Sequence, residues 1–204
     1  MIFSQIAPAM LVHLQITFLG VLCGCSVGIP LGSALARMPR TSKFVFIIVD
    51  MIQTVPTLAM FTFLMLAFGL NNNTVIVTIF LYSLFPIVRN TYTGIKSVDP
   101  GILRAGLGIG MTHLQLYRMV QLPIAMPLIL SGVRLAIISA LGITTTGVLV
   151  GAGGLGKLVW RGIQTRNTAM MLSGAIPVSL LAVFFDLLLT RLEKGWTKKF
   201  NKTT

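Results

Sequence analysis

Two long stretches of this sequence contain no charged side chain. The first runs from Met1 to Ala36 and the second lies between Asp50 and Arg89. Each is long enough for one or two helices of about 20 residues, the length needed to cross a bilayer. The composition agrees, with 55% hydrophobic residues, 10% charged residues and a mean hydropathy of +0.90. The chain is therefore predicted to be an all-α integral membrane protein.

About five membrane spans account for the apolar segments. They lie near 11–35, 44–70, 74–95, 124–150 and 168–191. Polar breaks such as NNN at 71–73 separate neighbouring spans. Cys23 and Cys25 lie two residues apart in the first span, where helical geometry prevents a disulfide between them, so both are expected to be small packing residues. We expect 1–204 to form a single transmembrane domain.

The basic residues indicate which way the chain crosses the membrane. Five spans place the termini on opposite sides, and an outer N-terminus puts thirteen of the 16 basic residues in cytoplasmic segments, three, five and five in turn. The positive-inside rule therefore favours an outer N-terminus and a cytoplasmic C-terminus. The basic tail at about 192–204 suits contact with membrane lipids. No nucleic-acid partner is expected, because the basic residues lie in small groups between apolar runs.

The segment GAGGLGKL at 151–158 nearly matches the phosphate-binding loop of nucleotide hydrolases. Leu158, however, stands where a Ser or Thr hydroxyl would hold Mg²⁺. Such a loop follows a buried strand, whereas this segment follows a run of small residues typical of close helix packing in lipid. The predicted topology also places it on the outer face, away from ATP. A membrane-anchored nucleotide hydrolase is therefore disfavoured, and the glycines predict a tight turn between the last two spans.

The segment 97–123 carries two local helix signals. Asp99 is a good N-cap, and Pro100 suits the first helical position, where a missing N–H costs nothing. Thr112 followed by Gln115 is a capping-box pattern that starts a second short helix after three glycines have weakened and ended the first. Two helices meeting at such a bend expose apolar side chains, as a docking surface for a soluble partner does. An amphipathic hairpin lying on the bilayer is the alternative.

The same segment resembles the signature of the permeases of binding-protein-dependent ABC importers. That signature is a Glu-Ala-Ala triplet, three residues, Gly, nine residues, an apolar residue, any residue, then Leu-Pro. Here it runs Arg104-Ala105-Gly106, Gly110 and Val120-Gln121-Leu122-Pro123, with Arg104 in place of the acid and Gly106 in place of the second alanine. Four further stretches resemble the osmoprotectant (glycine betaine, carnitine, choline) branch of the family: QTVPTLA at 53–59, PIVRNTYTG at 86–94, LPIAMP at 122–127 and GAGGLG at 151–156.

The resemblance implies a type I ABC importer permease fold and a transmembrane subunit that forms the pathway for a quaternary-ammonium osmolyte in a bacterial cell membrane. Two cytoplasmic ATPase subunits would dock on the 97–119 segment and carry ATP and Mg²⁺, whereas this chain would hold no cofactor or metal and would not be an enzyme. A second copy or a sister permease would complete the pore, and an extracytoplasmic binding protein would deliver the solute. A permease for an amino acid or another solute, a nucleotide hydrolase and a membrane scaffold are the alternatives. The implied coupling residues are Arg104, Ala105, Gly106, Gly110, Met111, Leu122 and Pro123.

Polar residues and prolines in the spans are candidates for the pathway or its gating. Proline removes a helical hydrogen bond and therefore predicts a kink or a break. For the threonines, hydrogen bonding back to their own helix is the alternative. The candidates are Gln53, Thr54, Pro56, Pro86, Asn90, Tyr92, Thr144 and Thr145.

Charged residues supply two further predictions. Asp50 and Arg89 are taken as the only opposite charges near membrane depth on neighbouring spans, and they predict an ion pair between the second and third spans. Independent contact of each with lipid headgroups is the alternative. On the outer face, the candidates for docking the binding protein are Lys157, Trp160, Arg161 and Arg166.

Overall fold

The computed structural model describes the backbone of residues 2–201 and the side chains of 4–198. All regular structure within those residues is helical, which confirms the all-α prediction. The α-helices are α1 (Ile2–Leu35), α2 (Pro39–Thr54), α3 (Thr57–Phe68), α4 (Asn72–Lys96), α5 (Pro100–Gly108), α6 (His113–Leu116), α7 (Leu122–Thr146), α8 (Gly156–Gln164) and α9 (Thr168–Asn201). A π-helical turn at Tyr117–Gln121 joins α6 to α7, and a 3-10 turn at Gly147–Val150 follows α7.

Four helical segments are long and apolar enough to cross a membrane. They are found in α1, in α4, in the continuous helix His113–Val150 and in α9. The fifth predicted span, 44–70, corresponds to α2 and α3, which pass the same test together but meet at an angle of 98°. The described residues therefore contain four continuous candidate spans and one bent pair, which makes the fifth predicted span when α2 and α3 are counted together.

The break in the second span lies at Pro56, as the sequence predicts. Val55 has φ −65° and ψ 126°, the extended conformation that a proline imposes on the residue before it. As a result α2 ends at Thr54 and α3 begins at Thr57. Pro86 behaves differently, because α4 continues through it without a break.

A stripe of glycines brings α1 into close contact with α4, the helix at the centre of the bundle. The glycines are four residues apart and share one face of α1. A methyl group added to Gly24 would lie 2.6 Å from Cβ of Ser83, and one added to Gly28 would lie 2.8 Å from Cγ2 of Ile87. The absence of side chains therefore lets the two helices approach at backbone distance, as in other membrane bundles. The members of this glycine stripe are Gly20, Gly24, Gly28 and Gly32.

The second short helix of the 97–119 segment and the fourth span form one continuous helix, His113–Val150. The predicted boundary between the segment, which ends at Pro123, and the span near 124–150 is therefore wrong. The Leu122 N–H bonds to the carbonyl of Tyr117, five residues back, as in a π-helix. This wider turn shifts the hydrogen-bond register where Pro123 has no N–H to donate, so the helix continues.

The last helix, α9, continues to Asn201, beyond the predicted end of the fifth span at 191. The described part of the basic tail is therefore helical. Only 6% of the apolar window in α9 is buried, and it packs mainly against α7 and α8. Most of α9 thus faces outward from the chain, where lipid or another subunit covers an apolar surface.

Candidate functional site

The 97–119 segment forms the predicted bend between two short helices. The Asp99 carboxylate accepts hydrogen bonds from the N–H groups of Gly101 and Ile102, the latter at 3.3 Å, and thereby caps α5. At the start of α6, the Gln115 side chain accepts from the Thr112 N–H at 2.8 Å and the Thr112 hydroxyl accepts from the Gln115 N–H at 3.3 Å. Both predicted caps are confirmed.

Glycines close the bend between α5 and α6. Gly110 has φ +87°, a left-handed conformation that residues with a Cβ rarely adopt. Gly106 is buried, and a methyl group on it would lie 2.6 Å from Leu116 and 3.3 Å from the Met111 sulfur. The signature positions 106, 110 and 111 therefore hold the two short helices together. Glycine at position 106, where the family signature has alanine, makes room for Leu116.

The outer surface of this segment is apolar and basic. Arg104 and Ala105 are exposed. Five large apolar side chains of the segment are exposed as well: Ile102, Leu107, Ile109 (82%), Leu114 and Met119 (68%). Such a surface is typical of a site where another protein docks rather than of a surface that stays in contact with water. The Asp99 carboxylate of this segment already accepts the two hydrogen bonds that cap α5.

Tyr117 attaches the segment to α1, a contact that the sequence does not predict. Its hydroxyl donates to the Ser33 hydroxyl at 3.0 Å, and the Arg37 guanidinium carbon lies 4.9 Å from the centre of its ring. Tyr117 is only partly exposed and is therefore committed to α1 rather than to lipid. The interpretation of this segment as a hairpin with Tyr117 in the bilayer is not supported by these contacts.

The broken second span is held by α4 at two points. At the break, the Tyr82 hydroxyl donates to the Val55 carbonyl, one of the groups left without a helical partner. About one turn before the end of α2, Arg89 and Asp50 form the predicted ion pair, with the Arg89 Nε also bonding to Asp50 Oδ1 at 3.3 Å. The pair is confirmed as a contact between the second and third spans.

The other pathway candidates are distributed between surface and interior. Gln53, Thr54 and Pro56 are exposed around the break. Asn90 donates to the Pro86 carbonyl at 2.8 Å, where α7 crosses so closely that a methyl group on Gly132 would lie 2.7 Å from that carbonyl.

Both candidate threonines of α7 bond back to their own helix, Thr144 to the Ala140 carbonyl and Thr145 to the Leu141 carbonyl, each at 2.8 Å. Thr144 is fully buried and hydrogen-bonded to Thr17 of α1 at 2.9 Å. A pathway role for these residues stays a prediction.

Comparison with known proteins identifies the family. Residues 28–198 match the family described as binding-protein-dependent transport system inner membrane component. The chain belongs to this family. It is 50% identical over 184 residues to the glycine betaine/carnitine/choline transport system permease protein OpuCD of Bacillus subtilis (strain 168), a match that covers 90% of this chain and 80% of the relative. It is 47% identical over 193 residues to the choline transport system permease protein OpuBD of the same organism, covering 94% and 85%.

Solved structures show the same fold. The MetNI methionine ABC transporter in inward facing conformations matches with a TM-score of 0.82 and 22% identity, covering 95% of this chain and 97% of that chain. An amino acid ABC transporter with histidines matches with a TM-score of 0.69 and 20% identity, covering 95% and 92%. The predicted type I ABC importer permease fold is confirmed.

In this inner membrane component the glycine segment, residues 151–156, is a packing element and not a phosphate-binding loop. It follows the 3-10 turn rather than a strand. Gly154, with φ +96°, lies against the fully buried His13 of α1, and Gly153 donates to the Asn72 side chain at 2.8 Å. A methyl group on Gly156 would lie 2.1 Å from the Thr145 carbonyl. The glycines thus make the predicted tight turn by fitting between α1, α4 and α7.

The four predicted outer docking residues lie together on and just after α8. Lys157, Trp160 and Arg161 are exposed on α8. Arg166 has φ +52° at the turn into α9, an uncommon conformation for a residue with a Cβ. A cavity of about 400 Å³ opens between α8 and the start of α1, lined in part by Lys157 and Arg161.

A second charged cluster within the bundle was missed by the sequence interpretation. Arg134 of α7 contacts three side chains of α9: Asp186 at 3.4 Å, Thr190 at 2.7 Å and Glu193 at 3.8 Å. The statement that Asp50 and Arg89 are the only opposite charges on neighbouring spans is therefore wrong. Arg134 lies inside α7, within the predicted fourth span, so the search for opposite charges on neighbouring spans that found Asp50 and Arg89 applies equally to Arg134 and Asp186.

Proposed function

We propose that this chain forms the translocation pathway of an ATP-driven importer for quaternary-ammonium osmolytes. The solute class comes from its relatives, which are named as permease proteins for the transport of glycine betaine, carnitine or choline. The proposal that ATP supplies the energy is supported by the 97–119 segment. This bend lies at the end of the helix His113–Val150 and exposes an apolar and basic surface on which an ATPase can dock.

Two cytoplasmic ATPase subunits are proposed to bind ATP and Mg²⁺ and to dock on this segment and its copy in a second permease chain. When the ATPase subunits close, the segment moves as a rigid body and tilts the spans, which switches the side from which the pathway is open. Arg104 stands where the family signature has an acid, so its partner on the ATPase is expected to be acidic. In this scheme Leu122 and Pro123 carry the motion into α7.

The orientation is proposed from the distribution of basic residues, with the N-terminus outside and the C-terminus in the cytoplasm. This places the 97–119 segment inside the cell and the glycine segment outside. Lys157, Arg161 and the neighbouring Trp160 would then meet the extracytoplasmic binding protein. Reporter fusions at the C-terminus and at Thr165 test the orientation, since an active cytoplasmic reporter at Thr165 would reverse it.

Uptake of labelled solute tests the function. The chain is expressed with its ATPase and binding protein in a bacterial strain that lacks other osmolyte importers, and uptake of glycine betaine, carnitine and choline is measured in high-osmolarity medium. Uptake that requires all components is expected. Accumulation of methionine or histidine instead of these solutes would contradict the proposed solute class and support an amino-acid permease.

A separate assay tests the nucleotide-hydrolase alternative. The purified chain alone is expected to hydrolyse no ATP, and Lys157→Ala is expected to leave the ATPase rate of the complete complex, measured without binding protein, unchanged. Hydrolysis by the isolated chain that Lys157→Ala abolishes would establish the alternative.

A further inference from the structure

The guanidinium of Arg89 lies in an unusual set of neighbours. It is paired with the Asp50 carboxylate, and its central carbon lies 4.7 Å from the ring centre of Phe46 and 5.6 Å from that of Phe85. Tyr92 meets the Phe46 ring edge-on, with the ring centres 4.9 Å apart, and so fixes the orientation of that ring. A carboxylate with two aromatic rings is the chemistry by which proteins hold organic cations.

This cluster is reachable from outside the chain. The side chain of Arg89 is 43% exposed and that of Asp50 is 39% exposed, although both belong to helices of the bundle. Phe46 and Phe85 are half-buried, so part of each side chain is accessible. All four side chains therefore present accessible surface to a small solute.

We propose that Phe46, Asp50, Phe85 and Arg89 form a binding site for a small zwitterion that carries a quaternary ammonium group and a carboxylate. Its ammonium group takes the place of the guanidinium between the two rings and beside Asp50, and its carboxylate pairs with the released Arg89. The proposal rests on the proposed function and gives the membrane component a solute site of its own.

Charge balance makes this exchange possible and also makes it selective. Without solute, Asp50 and Arg89 neutralise each other. With a zwitterion bound, Asp50 pairs with the ammonium group of the solute and Arg89 pairs with its carboxylate. No charge is therefore left unpaired near membrane depth. A cation without a carboxylate would displace Arg89 and leave it without a partner. The site therefore prefers glycine betaine and carnitine to choline.

Equilibrium binding of radiolabelled glycine betaine to the purified, detergent-solubilised chain tests the proposal. The double variant Phe46→Leu with Phe85→Leu removes both aromatic faces and keeps apolar side chains and the Asp50–Arg89 pair. It is expected to bind glycine betaine about tenfold more weakly than the wild type. Phe63→Leu is the matched control, because Phe63 is an exposed phenylalanine of α3 outside the cluster, and it is expected to bind as the wild type does.

Competition by two other solutes tests separately the carboxylate and the ammonium group of glycine betaine. Choline, which lacks the carboxylate, is expected to displace glycine betaine more weakly than unlabelled glycine betaine does. The anion 3,3-dimethylbutyrate, which has the shape of glycine betaine without its positive charge, is expected not to compete. Thermal melting of each variant confirms that it is folded.

Three results would overturn the proposal: no saturable binding of glycine betaine to the wild type, equal affinity in the folded double variant, or full competition by 3,3-dimethylbutyrate. The uptake assay shows whether such a result contradicts only the binding site or also the proposed function. Cells that import glycine betaine through the complete system while the purified chain gives one of these three results would remove the site and leave the function.

Discussion

Tyr117 donates its hydroxyl hydrogen to Ser33, with 3.0 Å between the two oxygens, and this bond joins the base of the 97–119 segment to the first span. Arg37, two residues past the end of α1, lies over the same ring. The segment is therefore connected to the bundle by two routes, through the continuous helix into α7 and through Tyr117 into α1. A docked ATPase would act on both spans at once.

Removing this bond is expected to reduce the efficiency of coupling. Tyr117→Phe loses the hydrogen bond and keeps the ring beneath Arg37, whereas Tyr117→Leu loses both contacts. We expect Tyr117→Phe to lower the solute imported per ATP hydrolysed by up to about fivefold, the factor for about 1 kcal/mol, and Tyr117→Leu to lower it further. Proteoliposomes with the complete complex provide the measurement.

Ser33→Ala is the control for this prediction. It removes the acceptor from the other side, so combining it with Tyr117→Phe should add little to either single variant. Equal coupling ratios in the wild type and both single variants would show that the bond plays no part in coupling.

Gly106→Ala is expected to disturb the bend of the 97–119 segment. The new methyl group would lie 2.6 Å from Leu116, so the two short helices must separate slightly. Overpacking of this kind costs about 1–3 kcal/mol, and we expect weaker docking of the ATPase in a pull-down with the purified permease. Gly108→Ala is the matched control, since nothing lies within 4 Å of a methyl group there. Equal loss in both variants would contradict the packing argument.

Gly24→Ala is expected to lower the melting temperature of the detergent-solubilised chain. Its methyl group would meet Ser83 at 2.6 Å, and the glycine stripe leaves α1 no room to move without breaking neighbouring contacts. Gly142→Ala of α7 has open space around the new methyl group and is expected to be neutral or slightly stabilising. A melting temperature for Gly24→Ala at or above that of Gly142→Ala would show that α1 and α4 are not closely packed.

Arg134→Gln is expected to destabilise the chain more than Arg89→Gln. The Arg134 side chain is 25% exposed and contacts two carboxylates, which the substitution leaves without a cation, whereas the Arg89 side chain is 43% exposed. Hydrogen bonds to charged groups contribute about 1.5–3 kcal/mol, and an exposed ion pair about 0.2–1 kcal/mol. Thermal melting at one fixed salt concentration compares the two. The reverse order of melting temperatures would contradict this ranking.

Neutralising the outer cations is expected to weaken docking of the binding protein. Lys157→Gln combined with Arg161→Gln should lower the stimulation of ATP hydrolysis by binding protein at low salt, and the difference from wild type should shrink as salt screens the charges. Lys194→Gln, at the other end of the chain, is the control. A double variant that responds to binding protein as the wild type does at low salt would exclude these two residues from the interface.

The features that the sequence predicts correctly depend on a few neighbouring residues. The caps at Asp99 and Thr112 require only the residues two or three positions further on, and the break at Pro56 requires only the missing N–H and the restricted Val55. Such local geometry is the same in any fold, so a single sequence is enough to predict it.

The features that the sequence does not predict are contacts between residues far apart in the chain, whose partners depend on how the helices pack. Nothing near Tyr82 indicates that its hydroxyl will meet the Val55 carbonyl, because that contact depends on how α4 crosses the broken span. The partners of Arg134 were missed for a different reason, since its charge was counted with the cytoplasmic segments although the predicted span near 124–150 contains it. The glycine stripe is visible as a repeat every four residues, but only the structure shows that Ile79, Ser83 and Ile87 lie against it.

The continuity of His113–Val150 has a thermodynamic consequence. A helix of 38 residues is about 57 Å long at 1.5 Å per residue, and it has the bend at Gly110 near one end and the turn at Gly151 at the other. Any event at the first end that shifts the position of this helix changes the free energy of every contact at the second. Linkage is reciprocal, so a protein bound at either end must alter the affinity for a protein at the other by the same factor.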